Sequence, residues 1–391
     1  MPIDFAALDG ETLLKELQED CTRQGASDIH LSPQKKDVRL EVRLHGVLQQ
    51  IASVTPKTYA ELLRRIKFES KLKLNITNIP QDGQYTFQVS QKTPQGERIR
   101  TAENGEPLDG TRGERSRTVN VRVATLPSRF GEALTLRLLD PDRGILPLEK
   151  LGFPAEISKT LEELADLPHG LILVTGPTGS GKTTTLYALL STIVGKARNI
   201  ITLEDPVEYE LAGIIQSEID PAHDYTFASG LRSILRHDPD VILVGEIRDL
   251  ETAQTAVNAS LTGHLVLSTL HTNSAIEAVP RLLSMGVSPY TLAPALRAVL
   301  AQRLVRTLSD DCRVKGAACD PASNSSYGGQ ISVPELFLMS PAIGQLILSL
   351  EQTAALEKQA RTEGFVSMQD WAAKIVAQGI STPFEVARAI G

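Results

Sequence analysis

The stretch Gly176-Pro177-Thr178-Gly179-Ser180-Gly181-Lys182-Thr183 has the glycines, lysine and hydroxyl of a phosphate-binding loop at the right spacing. It follows an apolar strand, LILVT, and precedes a helix predicted from Thr184 to Val194. Glycines let backbone N–H groups wrap phosphate oxygens without Cβ clashes, and the helix N-terminus adds partial positive charge. Lys182 is positioned to reach the β and γ phosphates, Thr183 to hold magnesium, and Thr184 closes the cradle. The motif predicts ATP or GTP binding and does not choose between them.

Acidic groups follow on neighbouring strands. The strand Asp240–Gly245 delivers Glu246, with Gly245 standing where phosphate-loop enzymes usually carry aspartate. Glu246 is therefore the first candidate for organising magnesium and water. Glu204 ends the strand NIITL, at the carboxyl edge where open α/β sheets bind ligands. It is a candidate for orienting or deprotonating the attacking water, and the sequence leaves open which acid touches that water. Asp205 and Glu208 add negative charge nearby, and Pro206 fixes the turn. His264 and His271 bracket the strand LVLSTL. A histidine at a strand end either senses a terminal phosphate or is a satisfied core group, and both readings stand. Their separation and the lack of neighbouring cysteines argue against a metal site.

These groups need elements to hold them. LILVT, NIITL, DVILVG and HLVLSTL are short, dense apolar runs alternating with helical stretches, the pattern of parallel strands covered on both faces. Upstream, Leu13, Leu14, Leu17 and Cys21 make one helical stripe, and a second helix is expected over 57–70. Alternating strands are expected at Val38–Leu44, Tyr85–Val89, Thr118–Ala124 and Ala133–Leu139, the last two joined through LPSRFGE. The polar stretch 91–117 reads as an exposed loop or loose hairpin. The expected organisation is a short extension (1–20), a small α+β domain (21–140), a linker (141–154), an α/β core (155–285) and a mainly helical region (286–391). Thr382, Pro383 and Glu385 read as a capping box opening the last helix.

Composition excludes several classes. The net charge of −7 argues against a general nucleic-acid binder. No apolar run reaches the roughly 18 residues of a membrane span, and the acidic N-terminus lacks the basic region of a secretory signal. Three cysteines are too few for a disulfide architecture and point to a reducing cytoplasm.

ITLEDPVEY (201–209), LRHDPDVILVGEIRDLETA (235–253) and TGHLVLSTLHTN (262–273) resemble the aspartate box, Walker B and histidine box of the secretion-superfamily ATPases. These are the motors of type II secretion and type IV pilus assembly. SDIHL (27–31), RLHG (43–46), IPQDG (79–83) and VRVATLPSRFGEALTLRLLD (121–140) resemble the family's small N-terminal domain. The resemblance implies a RecA-like phosphate-loop core, a PAS-like α+β domain before it and a helical region after it. It also implies a homohexamer hydrolysing ATP with magnesium. That hexamer would work in the cytoplasm, peripherally bound to the inner membrane through a platform protein and an adaptor. Lys182 and Thr183 would hold phosphate and magnesium, Glu204 and Glu246 would be the catalytic acids, and His264 and His271 the histidine-box residues. Arg122 and Arg137 match the small domain's nucleotide-contacting arginines, on the polar faces of their strands.

The departures are informative. Assembly motors usually carry two CxxC pairs holding zinc. Over 309–330 only Cys312 and Cys319 remain, with Ser309 and Ala322 in the other places. No zinc is expected from two thiolates. The chain is also expected to lack the extra N-terminal domain of many assembly motors and to dock by another route. A pilus-retraction motor is the alternative, and a conjugation-type DNA-transfer ATPase a more distant one. For the latter, the basic run LRRIKFESKLKL (63–73) is diluted by glutamate.

Overall fold

The alternating strands and the apolar runs build two different kinds of sheet. The computed structural model describes residues 4–91, 115–315 and 319–391, in two units, Met1–Gly144 and Ile145–Gly391.

The first unit is an antiparallel sheet of β1 (Ala26–Pro33), β2 (Val38–Leu44), β3 (Val47–Val54), β4 (Gln81–Gln91), β5 (Arg115–Ser128) and β6 (Gly131–Leu139). Their spatial order is β3-β2-β1-β6-β5-β4. Val119, Val121 and Val123 of β5 and Leu134, Leu136 and Leu138 of β6 share one buried core with the helices Gly10–Gln24 and Pro56–Glu69. The strands run past their predicted ends because the β5–β6 turn is tight, with Ser128 paired to Gly131. The loop expected over 91–117 lies mostly outside the described residues, and its two ends are strand, with Gln91 paired to Arg115.

The short extension expected at the N-terminus is instead part of this unit. Asp9 caps the first helix by accepting from the N–H groups of Glu11 and Thr12, and Phe5, Leu13, Leu14 and Leu17 are buried. Cys21 is core as expected, and burial pushes its thiol up to about 12. Of the basic run 63–73, Lys67 is buried against Glu132 at 2.7 Å and Arg65 pairs with Glu69.

The second unit holds β7 (Gly170–Thr175), β8 (Ile200–Glu204), β9 (Ile215–Glu218), β10 (Val241–Val244), β11 (Leu265–Leu270), β12 (Leu296–Leu308) and β13 (Tyr327–Leu338). The order is β13-β12-β7-β11-β10-β8-β9, parallel except for the antiparallel pair β12–β13. Leu171 and Leu173 enter one apolar layer while Ile172 and Val174 enter another. A strand buried on both faces must be apolar throughout, which is why these strands read as unbroken runs. The latter part of the expected linker belongs here too, since Leu148 and Phe153 are buried in the second layer.

Beyond Gly286 the chain is helical as expected, but it also lends β12 and β13 to the sheet. Cys312 and Cys319 are joined as a disulfide with Cα atoms 5.7 Å apart. This corrects the reading of Cys312 and Cys319 as two remnant thiolates: three cysteines are too few to staple a domain, but these two close one local loop. Among the described residues, no helix is long and apolar enough to cross a membrane.

Candidate active site

The phosphate loop leaves β7 and enters the helix Lys182–Ile193, whose first position follows Gly181 in the left-handed region (φ +89°). Gly176 and Gly179 also have positive φ, and a Cβ at Gly179 would meet nothing within 4 Å. The loop apex is therefore an open cradle for an anion. Thr178 and Pro177 are exposed, Ser180 is buried beneath them, and Thr183 is exposed on the first helical turn beside the half-buried Thr184. The Lys182 ammonium donates to the carbonyls of Gly176 (2.9 Å) and Pro177 (3.1 Å). Burial holds its pKa below the ordinary lysine value, and the charge of Glu246 pulls the other way.

Glu246 sits where β10 ends. A Cβ on Gly245 would lie 3.3 Å from the Leu203 carbonyl oxygen and 3.4 Å from the Phe227 ring. An aspartate would be crowded there, so the acid falls one residue later. Thr269 Oγ1 donates to the Gly245 carbonyl (2.7 Å) and the Ile247 N–H to the Thr269 carbonyl (3.0 Å), pinning the turn. The Glu246 side chain, only 14% exposed, contacts Arg248 and lies 3.4 Å from His271 Nε2. The loop and the His271 turn are tied by Thr175, which accepts from the Thr272 N–H (2.8 Å) and donates to the Leu270 carbonyl (3.0 Å). Lys182, Glu246 and His271 thus gather at the carboxyl edge of the sheet.

Glu204 and His264 are placed differently. Glu204 is on that edge, with Leu203 paired to Val244, but its carboxylate is buried. It accepts from the Tyr187 hydroxyl, from Thr202 Oγ1 (2.6 Å) and from Gln216 Nε2 (3.2 Å). Three of its roughly four acceptor positions are taken. Burial and this carboxylate together hold the Tyr187 hydroxyl well above the usual phenol range. Glu204 therefore locks the phosphate-loop helix to β8. His264 precedes β11 at its far end: its carbonyl accepts from the Gly170 N–H, and Nδ1 lies 3.0 Å from the Ala259 carbonyl oxygen. Six strand residues separate it from His271, about 20 Å. Within one chain it belongs to the turn before β11 and not to the Lys182–Glu246 cluster.

Arg122 and Arg137 lie directly opposite each other on β5 and β6 in the first unit. Arg137 donates through Nε to Asp28 Oδ1 (3.0 Å), and Arg43 Nε is 3.5 Å from the other oxygen of the same buried carboxylate. Sequence reading missed Asp28 as the carboxylate that holds Arg137 and Arg43, along with Thr175, Tyr187 and Arg248. Asp28 lies within SDIHL, Arg248 within the stretch 235–253 and Thr175 at the end of LILVT, while Tyr187 lay in no quoted motif. Among the described residues no group of three or more His, Cys, Asp or Glu side chains is arranged to hold a metal ion by itself.

The family described as type II/IV secretion system protein matches residues 9–103 and 96–388. The type II secretion system ATPase E of Vibrio cholerae is 40% identical over 399 residues, covering 96% of this chain and 74% of that protein. The solved structure of the pilus retraction motor PilT with bound ADP is 29% identical, with a TM-score of 0.63 and 95% of each chain covered. The Legionella pneumophila ATPase DotB shares the fold at a TM-score of 0.73 and 22% identity, covering 99% of this chain and 97% of that one.

Proposed function

Because this chain is a secretion-system ATPase of the type II/IV secretion system protein family, we propose that it hydrolyses ATP with magnesium, as a homohexamer, to power assembly of pilin or pseudopilin subunits. The observation that carries the reading is Glu246, 3.4 Å from His271 Nε2, at the same carboxyl edge of the sheet where the phosphate loop leaves β7. Magnesium, when bound, would neutralise phosphate charge and align the leaving group. The loop N–H groups from Gly176 to Thr184 and the Lys182 ammonium would bind the phosphates. The Thr183 hydroxyl and Glu246 would hold the metal. Glu246 would also orient water, and His271 would hold Glu246 in place. Glu204 is proposed as the second acid, acting through the position of the phosphate-loop helix. The partners would be an inner-membrane platform protein and an adaptor, which would keep the chain cytoplasmic at the membrane face.

Glu246→Gln tests this. The amide keeps size and loses charge, so ATP binding should persist while turnover falls at least tenfold, the lower bound for a positioned acid–base group being about 10² when it acts directly. Glu204→Gln should also lose at least about tenfold. Full activity in either variant would remove that acid from the proposal.

Arg122 and Arg137 are proposed to take part in turnover from the first unit, where their paired guanidinium groups suit phosphate oxygens. Arg122→Ala or Arg137→Ala should lower the rate at least about tenfold with melting little changed. For the wild-type protein, the rate per chain should rise with protein concentration as the hexamer forms. A rate per chain independent of concentration would count against an oligomeric motor.

A further inference from the structure

Gln302 is 1% exposed on β12, the strand beside β7. Its neighbour Ala301 pairs with Thr175, the last residue before the phosphate loop, so Gln302 lies directly alongside that loop. The side-chain amide donates through Nε2 to the Ser180 carbonyl (2.7 Å) and accepts through Oε1 from the Thr185 hydroxyl (2.9 Å). Those partners fix which way the amide points, since a carbonyl can only accept and the oxygen is left for the hydroxyl. One buried side chain thereby bridges the loop apex and the first turn of the helix after it.

The loop glycines fit around the same residue. A Cβ on Gly176 would lie 2.6 Å from the Gln302 carbonyl oxygen, and one on Gly181 would lie 3.0 Å from Nε2. The requirement for glycine at these positions comes from the neighbouring strand as much as from the ligand. The carbonyl of Gln302 in turn accepts from Arg303 Nη1 (3.2 Å), whose Nη2 donates to the Asn273 carbonyl (3.1 Å), just beyond His271. The loop and the histidine turn hang from adjacent residues of one strand.

We propose that Gln302 is a positioning residue for phosphate binding: it holds the Ser180 carbonyl inward so that the N–H groups of the loop are already turned toward the anion before it arrives. Preorganisation of this kind raises affinity by lowering the ordering cost of binding. The inference rests on the reading of the loop as the nucleotide-phosphate site. It deepens that reading by assigning part of the affinity to a residue about 120 positions away that does not touch the phosphates.

The test uses the full-length chain with ATP, ADP and inorganic pyrophosphate. Gln302→Glu is nearly isosteric but sets a carboxylate oxygen against the Ser180 carbonyl. It should weaken all three ligands at least tenfold and to a similar extent, because the defect lies in the phosphate cradle and not in base recognition. KM for ATP should rise more than kcat falls. Thr185→Val removes the other arm of the bridge and should weaken binding severalfold, with most of the loss recovered in Thr185→Ser. Lys182→Ala is the control that reports on the loop itself. If the wild type binds pyrophosphate, Lys182→Ala loses it and Gln302→Glu stays within twofold of wild type, the inference is overturned and the nucleotide site stands. If the wild type binds none of the ligands, both fail. Should Gln302→Glu not fold, Thr185→Val decides, and affinity within twofold of wild type overturns the role of the bridge.

Discussion

Replacing Lys182 with alanine should lower ATP turnover by at least about 10²–10³-fold, the usual loss when one preorganised donor to developing charge is removed. The argument turns on what else the lysine does. Its side chain is half-buried, and among the described residues its ammonium bonds only to the carbonyls of Gly176 and Pro177 in its own loop. No core cluster depends on it, so the melting temperature should stay within about 2 °C of wild type. Burial already works against its charge, Glu246 opposes that effect and Arg303 adds to it. A polyphosphate supplies the compensation that the protein leaves incomplete. Lys182→Arg should recover little, because a planar fork cannot replace a compact ammonium in a space shaped by glycines. Steady-state hydrolysis and thermal melting of the same preparations check both halves. Near-normal turnover would dissociate the loop from the chemistry.

How much of this site was legible depended on where each residue's partner lies. The phosphate loop is contiguous, and its chemistry is carried by backbone groups that glycine positions reveal, so eight letters sufficed. Glu246 was legible because a strand end points at the sheet edge, and Gly245 explains its displacement through the crowding from Leu203 and Phe227. His264 and His271 look alike in sequence, but the length of β11 carries them to opposite ends. Gln302, Thr175 and Tyr187 were not legible, since their meaning lies in contacts made across the sheet. In the fold, the buried parallel strands declared themselves by composition. β12 did not, because VLAQRLVRTL mixes apolar and polar residues in a pattern that suits a helix equally well. The cysteines misled for a different reason: their number excludes a framework, while the short separation of Cys312 and Cys319 allows a single local bond.

Glu385 shows tertiary context overruling a local motif, and its removal should produce the largest loss of stability. Thr382 caps the last helix by accepting from the Glu385 N–H (3.1 Å), as the motif predicts. The glutamate does not turn back to complete the box. Its fully buried carboxylate takes the N–H of Arg306 (3.0 Å), the Arg306 guanidinium at Nε (2.9 Å) and Nη2 (2.7 Å), and Arg388. Arg306 is itself 3% exposed, lies over the Tyr327 ring and donates to Asn324. Glu385→Ala would leave that guanidinium and a backbone N–H without their anion, which costs about 3–5 kcal/mol for a buried pair. The bond to Asn324 and the tyrosine face offset part of this, so the low end is expected, a fall of about 6–12 °C for a unit of this size. Trp371, the one tryptophan of the chain, is buried in the same unit and reports its unfolding separately from the first. Acid should act through the same group. Burial alone would raise the Glu385 carboxyl, but Arg388 and Arg306 outweigh it and hold the pKa down to about 2, from 4.5. A depressed carboxylate gives stability that is fully present above about pH 4.5 and lost as pH falls through about 2. The gap in stability between wild type and Glu385→Gln should therefore narrow across that window. Replacing both partners, as in Arg306→Met with Glu385→Leu, should cost less than the sum of the single changes, because no buried charge is then left unpaired. A melting shift under 2 °C for Glu385→Ala, or a gap that does not change between pH 5 and pH 2, would show that this ion pair does not anchor the C-terminal helix.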